Sequence, residues 1–119
     1  MRDEIMWWMS RLTIMLTSLF LSFSLAAQAY AAEIQMGYDG NLVFEPNELT
    51  VNAGETVTFV NNALPPHNII VDGRADLSRD SLMCRPGETQ EIVFADTGDF
   101  NFKCAPHEGA GMKGVIHVK

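Results

Sequence analysis

Cysteine is scarce: the 119-residue chain has two, Cys84 and Cys104. A disulfide-rich framework is therefore excluded, and at most one bridge could form. Bases are also few, with 8 Lys and Arg against 15 Asp and Glu and a formal net charge of −7. That balance argues against nucleic acid, whose phosphates would be repelled. It favours solubility and steering toward basic partner surfaces. No internal repeat or low-complexity run follows residue 31, and helical periodicity is weak. A long apolar run is missing too: the segment Leu12 to Ala27 has about 16 residues, short of the ~20 a spanning helix needs.

What the first 31 residues do have is a leader pattern. Arg11 precedes the apolar run, and Ala29-Tyr30-Ala31 puts small residues where a signal peptidase reads. Residues 1–31 are therefore read as a secretory signal peptide and 32–119 as a single domain. Asp3 and Glu4 stand where such a leader is usually basic, so translation from Met9 or Met6 is an alternative start. The remaining domain has about 88 residues and keeps the whole −7, with 13 acids against six bases. A domain of that size buries only about 60–65% of its unfolded surface and is marginal. A bound metal can supply the missing stability.

Strand signals dominate the domain. Short runs rich in Val, Ile, Thr and Phe are broken by Gly, Pro, Asn and Asp. They predict strands at 33–38, 42–45, 48–51, 56–61, 68–71, 90–94, 98–104 and 113–118. Val57 and Phe59 alternate with Thr56, Thr58 and Val60, as on a half-buried strand. Seven or eight such strands predict an all-β sandwich of one domain. The polar stretch from Asp72 to Ser81 reads as a loop with one helical turn, bridging the sheets.

The chemistry-bearing segment is Phe100-Asn-Phe-Lys-Cys104-Ala-Pro-His107-Glu-Gly-Ala-Gly-Met112-Lys-Gly114. A strand ends at Cys104, and a loop then presents His107 and Met112 at Cys-x2-His-x4-Met spacing. A second histidine, His67, stands upstream between Pro66 and Asn68. One thiolate, two imidazoles and a thioether form a soft nitrogen and sulfur set. Zinc would gain little from the thioether. Copper cycles between a soft and a harder state, and two His with one Cys and a long axial Met suit both. Singly, Met112 reads as a gap-filler, His107 as a solvated loop residue and Cys104 as a buried thiol; together on one loop they read as ligands.

These segments resemble the plastocyanin family of cupredoxins. Cys104 to Gly114 is similar to its copper loop, Val60-Asn-Asn-Ala-Leu-Pro-Pro-His67-Asn-Ile-Ile to its first-ligand segment, and Gly40-Asn-Leu42-Val-Phe44-Glu-Pro46 to its N-terminal loop. The resemblance implies a Greek-key β-sandwich with one type 1 copper near one end, held by His67, Cys104, His107 and Met112. It implies a non-enzymatic, monomeric electron carrier of the thylakoid lumen, shuttling from cytochrome f of the b6f complex to photosystem I. Leu42 and Pro66 would belong to the apolar patch around His107, and Asn68 would tie the two ligand loops together.

Several positions depart from the pattern. Lys103 replaces the Tyr usual before the ligand Cys, which puts the family's remote contact surface in doubt. Asp72, Asp76 and Asp80 alternate with Arg74 and Arg79, so no plant-type acidic patch is evident and the chain looks more like a cyanobacterial form. Glu108 puts an acid beside His107. Cys84, without a partner if Cys104 binds copper, is expected to be a buried, inert thiol, a disulfide-linked dimer being the lesser alternative. His117 reads as an ordinary strand residue. Other functions compete: a periplasmic carrier resembling pseudoazurin, a copper storage or delivery protein, or a structural zinc site. The pseudoazurin family carries a C-terminal helical extension absent here, and storage sites are typically richer in Met and Cys. Four protein ligands leave no open position for a substrate, and no nucleophile–base pair is evident.

Overall fold

The computed structural model describes residues 32–119, and the expected leader lies outside them. Nine strands form: β1 Ala32–Met36, β2 Phe44–Glu45, β3 Glu48–Val51, β4 Glu55–Asn61, β5 His67–Val71, β6 Arg79–Met83, β7 Thr89–Phe94, β8 Gly98–Lys103 and β9 Lys113–Val118. They make two sheets, ordered β2-β1-β4-β7 and β3-β9-β8-β5-β6. Pairs β1–β4 and β3–β9 run parallel, and the other pairs run antiparallel. The chain changes sheet at Pro46-Asn47, between β2 and β3. The all-β sandwich expected from the turn spacing is the fold observed.

Alternation explains the core. Val57, Phe59 and Asn61 of β4 point inward, as do Ile92 and Phe94 of β7. Phe44, Phe59 and Phe102 meet edge to face, with centroids 4.7 to 6.3 Å apart. Cys104 and Met112 belong to the same buried cluster. The candidate site thus grows from the end of the core rather than from a surface groove.

The ninth strand corrects the sequence reading. Residues 79–81, expected to lie in the polar bridging loop 72–81, join Leu82 and Met83 in edge strand β6 of that second sheet. Only Met83 of β6 is buried, so hydrophobic alternation gave no signal. The pairing of β5 with β6 shifts register between His67 and Ile69. Such irregularities re-aim side chains near functional sites. Here His67, Asn68 and Ile69 are buried in succession, which a regular two-faced strand with one solvated side would not give.

β6 also corrects the expectation for Cys84, which is exposed rather than buried. Met83 takes the inward position, so its neighbours Leu82 and Cys84 face out. Cys84 and Cys104 are both free thiols.

Candidate metal centre

Strand β8 delivers Cys104. Phe102 and Cys104 share the inward face, and Lys103 turns outward. The chain then winds through a 3-10 turn, Ala105–Ala110, with Pro106 in its first positions. The His107 N–H donates to the Cys104 carbonyl at 3.1 Å. Gly111 ends the turn at φ 89, a left-handed conformation in which a side chain would be strained. That reversal buries Met112, whose N–H donates to the His107 carbonyl at 3.2 Å and whose carbonyl accepts the Cys104 N–H at 3.0 Å. Cys104 and Met112 are thereby joined at the neck of the loop.

His67 arrives from the neighbouring strand. β5 pairs with β8 through Ile70 opposite Lys103 and Val71 opposite Phe102. That register places His67, fully buried, beside the Cys104 loop. Its Nδ1 lies 3.2 Å from His107 Nδ1 and 3.7 Å from Cys104 Sγ. Cys104 Sγ lies 3.4 Å from His107 Nδ1. These three atoms are the one close cluster of metal-ligating groups among the described residues. A triangle with these sides has its equidistant point about 2.0 Å from each corner, near the ~2.0–2.3 Å of metal–nitrogen and metal–sulfur bonds. The donor set therefore fits a single metal ion.

Electrostatics agree with that fit. Burial, and secondarily the nearby His107, hold His67 below its ordinary value, so it stays neutral with a lone pair to donate. Burial pushes the Cys104 thiol up, against backbone N–H groups of Asn68 and His107 that favour the thiolate. A cation among these donors reverses the balance, because a coordinating thiol is deprotonated outright.

Asn68 ties the two ligand segments as the resemblance implied. Its Oδ1 accepts the Ala105 N–H at 2.8 Å, and its Nδ2 donates to the Asp80 carbonyl at 3.2 Å. Ligand segments are thus cross-braced from β5 to the loop and to β6. On the far edge of His67, Nε2 is buried with no hydrogen-bond partner among the described residues.

The rim is mixed. His107 is half-buried, as are Leu42 and Pro66. Tyr38 and Leu64, which the sequence reading did not single out, are 51% and 62% exposed on the segments leading from Gly37 and into His67. Lys103 lies 3.2 Å from Glu108 and 3.8 Å from Asp72. With Asn101, Phe102 and Lys113 these residues border an open cleft of about 380 Å³. The position before Cys104 is therefore part of an ion-paired surface cleft.

Sequence reasoning also missed the setting of His117. Its Nδ1 is 2.6 Å from Asp99 and its Nε2 is 2.7 Å from Glu48. Both acids raise its proton affinity, Asp99 most. Strands β3, β8 and β9 bring the three together, a juxtaposition no local spacing reveals.

Known proteins are similar to this chain in sequence and in fold. Residues 31–119 match the family model for copper binding proteins of the plastocyanin/azurin family. A chloroplastic plastocyanin of Tetradesmus obliquus is 43% identical over 106 residues, covering 82% of this chain and 73% of that protein. Among solved structures, oxidised plastocyanin from Dryopteris crassirhizoma matches with a TM-score of 0.67 at 31% identity, covering 74% of this chain and all of that one. Amicyanin from Paracoccus versutus follows at 0.62 and 25% identity, covering 79% of this chain and 86% of that one. With the buried His67 and Cys104 and the half-buried His107 converging beside the core of a two-sheet sandwich, the chain belongs to the plastocyanin/azurin family of copper binding proteins.

Proposed function

We propose that this chain is a mobile one-electron carrier whose type 1 copper is held by His67, Cys104, His107 and Met112. The convergence of the two Nδ1 atoms and Sγ within 3.7 Å of one another carries the reading. Bound there, copper supplies the one-electron couple. The protein does the rest. Burial excludes water from Cys104, Met112 and His67, and the closed 3-10 turn with its Cys104–Met112 neck resists rearrangement between the two charge states. Low rearrangement is what rapid electron exchange requires. His107 is the least buried of the three clustered donors, so its ring edge is the exit, with the half-buried Leu42 and Pro66 as the apolar patch that the resemblance implies around it.

The partners proposed are cytochrome f of the b6f complex as donor and photosystem I as acceptor, in the thylakoid lumen, after removal of residues 1–31. The similarity to plastocyanins supports this assignment. No enzymatic step is assigned, since His67, Cys104, His107 and Met112 would together hold the metal and leave no position for a substrate. Glu108 beside the exit and its pairing with Lys103 tune partner choice.

The first test is the visible spectrum of copper-loaded, oxidised protein. An intense thiolate-to-copper charge-transfer band is expected, and it should vanish in Cys104→Ser. A colourless protein that retains zinc after native purification would overturn the proposal. Flash-induced oxidation by photosystem I then tests the acceptor, and amino-terminal sequencing of the mature protein tests processing after Ala31.

A further inference from the structure

We propose that Gly37 is a positioning residue for the metal centre: its bare Cα sets how far the His67 imidazole stands from Cys104 and His107. This rests on the reading of His67 as a copper ligand. Gly37 follows β1, is buried, and has φ 76. A Cβ placed on it would lie 2.8 Å from His67 Nε2 and 3.5 Å from His67 Cδ2, with the Ala63 Cβ also at 3.5 Å. The contact is therefore with the edge of the ring opposite the donor atom.

Three observations make this edge decisive. His67 Nε2 has no hydrogen-bond partner among the described residues, so packing rather than a hydrogen bond fixes the ring there. Ligating histidines usually gain their orientation from such a bond. His67 is fully buried, so the ring cannot swing into solvent. The opposite edge already faces the donor triangle, at 3.2 Å from His107 and 3.7 Å from Cys104. A methyl group on residue 37 would drive Nδ1 several tenths of an ångström into that triangle or twist the ring out of its plane. The backbone itself is held: the Gly37 N–H donates to the Val43 carbonyl, and its carbonyl accepts the Gly40 N–H, both at 3.0 Å. Residue 37 therefore cannot drift away to relieve the contact.

The fold supplies a matched control. Gly40 shares φ 76 and the same turn, but a Cβ there meets nothing within 4 Å. Gly37→Ala and Gly40→Ala therefore place alanine at the same positive φ, and only the first touches His67. Both variants and the parent are loaded with copper, and affinity, charge-transfer band and reduction potential are measured. Gly37→Ala is expected to lose about 10–100-fold in copper affinity, the range seen when ligand-supporting groups are removed. It should also shift the band and the potential, while Gly40→Ala retains the parent's values. Equal behaviour of the two variants, with a normal parent band, overturns the role of Gly37 alone. A parent without the band overturns the ligand reading and this inference with it. If Gly37→Ala does not fold, NMR of the metal-free parent decides. Strong NOEs from the Gly37 α-protons to the His67 Hδ2, with one ring orientation, are expected. A ring that averages between orientations without metal refutes the proposal.

Discussion

Replacing Asn68 with alanine removes the brace between the two ligand segments. The side chain is 7% exposed and makes two hydrogen bonds, one from the Ala105 N–H at 2.8 Å and one to the Asp80 carbonyl at 3.2 Å. Each contributes about 0.5–1.5 kcal/mol net, and an orphaned buried group would cost more. Ala105 and Asp80 are themselves exposed, so water can take over their backbone groups. The smaller figure applies, and the total is about 2 kcal/mol. For a domain of this size that lowers Tm by roughly 8–16 °C. Circular dichroism melts of the metal-free protein measure it directly. The brace also holds His67 near the Cys104 loop before any metal arrives. Copper should therefore bind more weakly to the variant, and the Tm gained on adding copper at a fixed concentration should shrink. A metal-free Tm within about 2 °C of the parent would show that the brace carries no stability. An unchanged copper-induced gain would show that it does not organise the site.

The remaining predictions concern other parts of the fold. His117 has its proton affinity raised by Asp99 and Glu48, so its contribution to stability is complete below the unfolded value of 6.5 and is lost as pH rises through the folded value. Urea melts of the parent should weaken over that interval above pH 6.5, and His117→Gln should flatten the dependence; identical pH profiles refute the clamp. Gly114→Ala puts a Cβ 2.4 Å from the Asn47 carbonyl oxygen and 2.6 Å from Phe102 Cζ, where β9 passes the start of β3. Overpacking against backbone predicts a loss of about 1–3 kcal/mol in chemical denaturation, and a neutral substitution would refute the contact. Glu108→Gln breaks the pairing with Lys103 but should change stability by less than about 1 kcal/mol, because exposed pairs contribute little. It should alter the ionic-strength dependence of electron transfer with a charged partner in stopped-flow assays; superimposable salt curves would dismiss Glu108 as a docking residue.

Three of the proposed ligands were legible because they are local. Cys104, His107 and Met112 lie on one loop, and its Pro and Gly mark a tight turn at the end of a strand. The sandwich was legible as well, since strands with one buried face carry alternation that the sequence displays. Edge strand β6 was not, because only Met83 of its residues is buried and its place depends on pairing with β5. The outward turn of Cys84 follows from that same register and was equally hidden. His67 stands 37 residues before Cys104, so its distance to the thiol is set by the β5–β8 register rather than by spacing.

The sequence by itself thus determined the donor chemistry, the loop that holds most of it and the alternation that builds two sheets. Each depends on side chains within a few residues of one another, where covalent geometry limits the outcomes. Only the tertiary structure decided what closes around those donors. The bare edge of Gly37 against His67, the brace of Asn68 to Ala105 and Asp80, the Lys103–Glu108–Asp72 cleft and the clamp on His117 all join separate strands and loops. Such contacts exist only once strand order and register are fixed, because neighbours along the chain do not encode which distant atoms a side chain will meet.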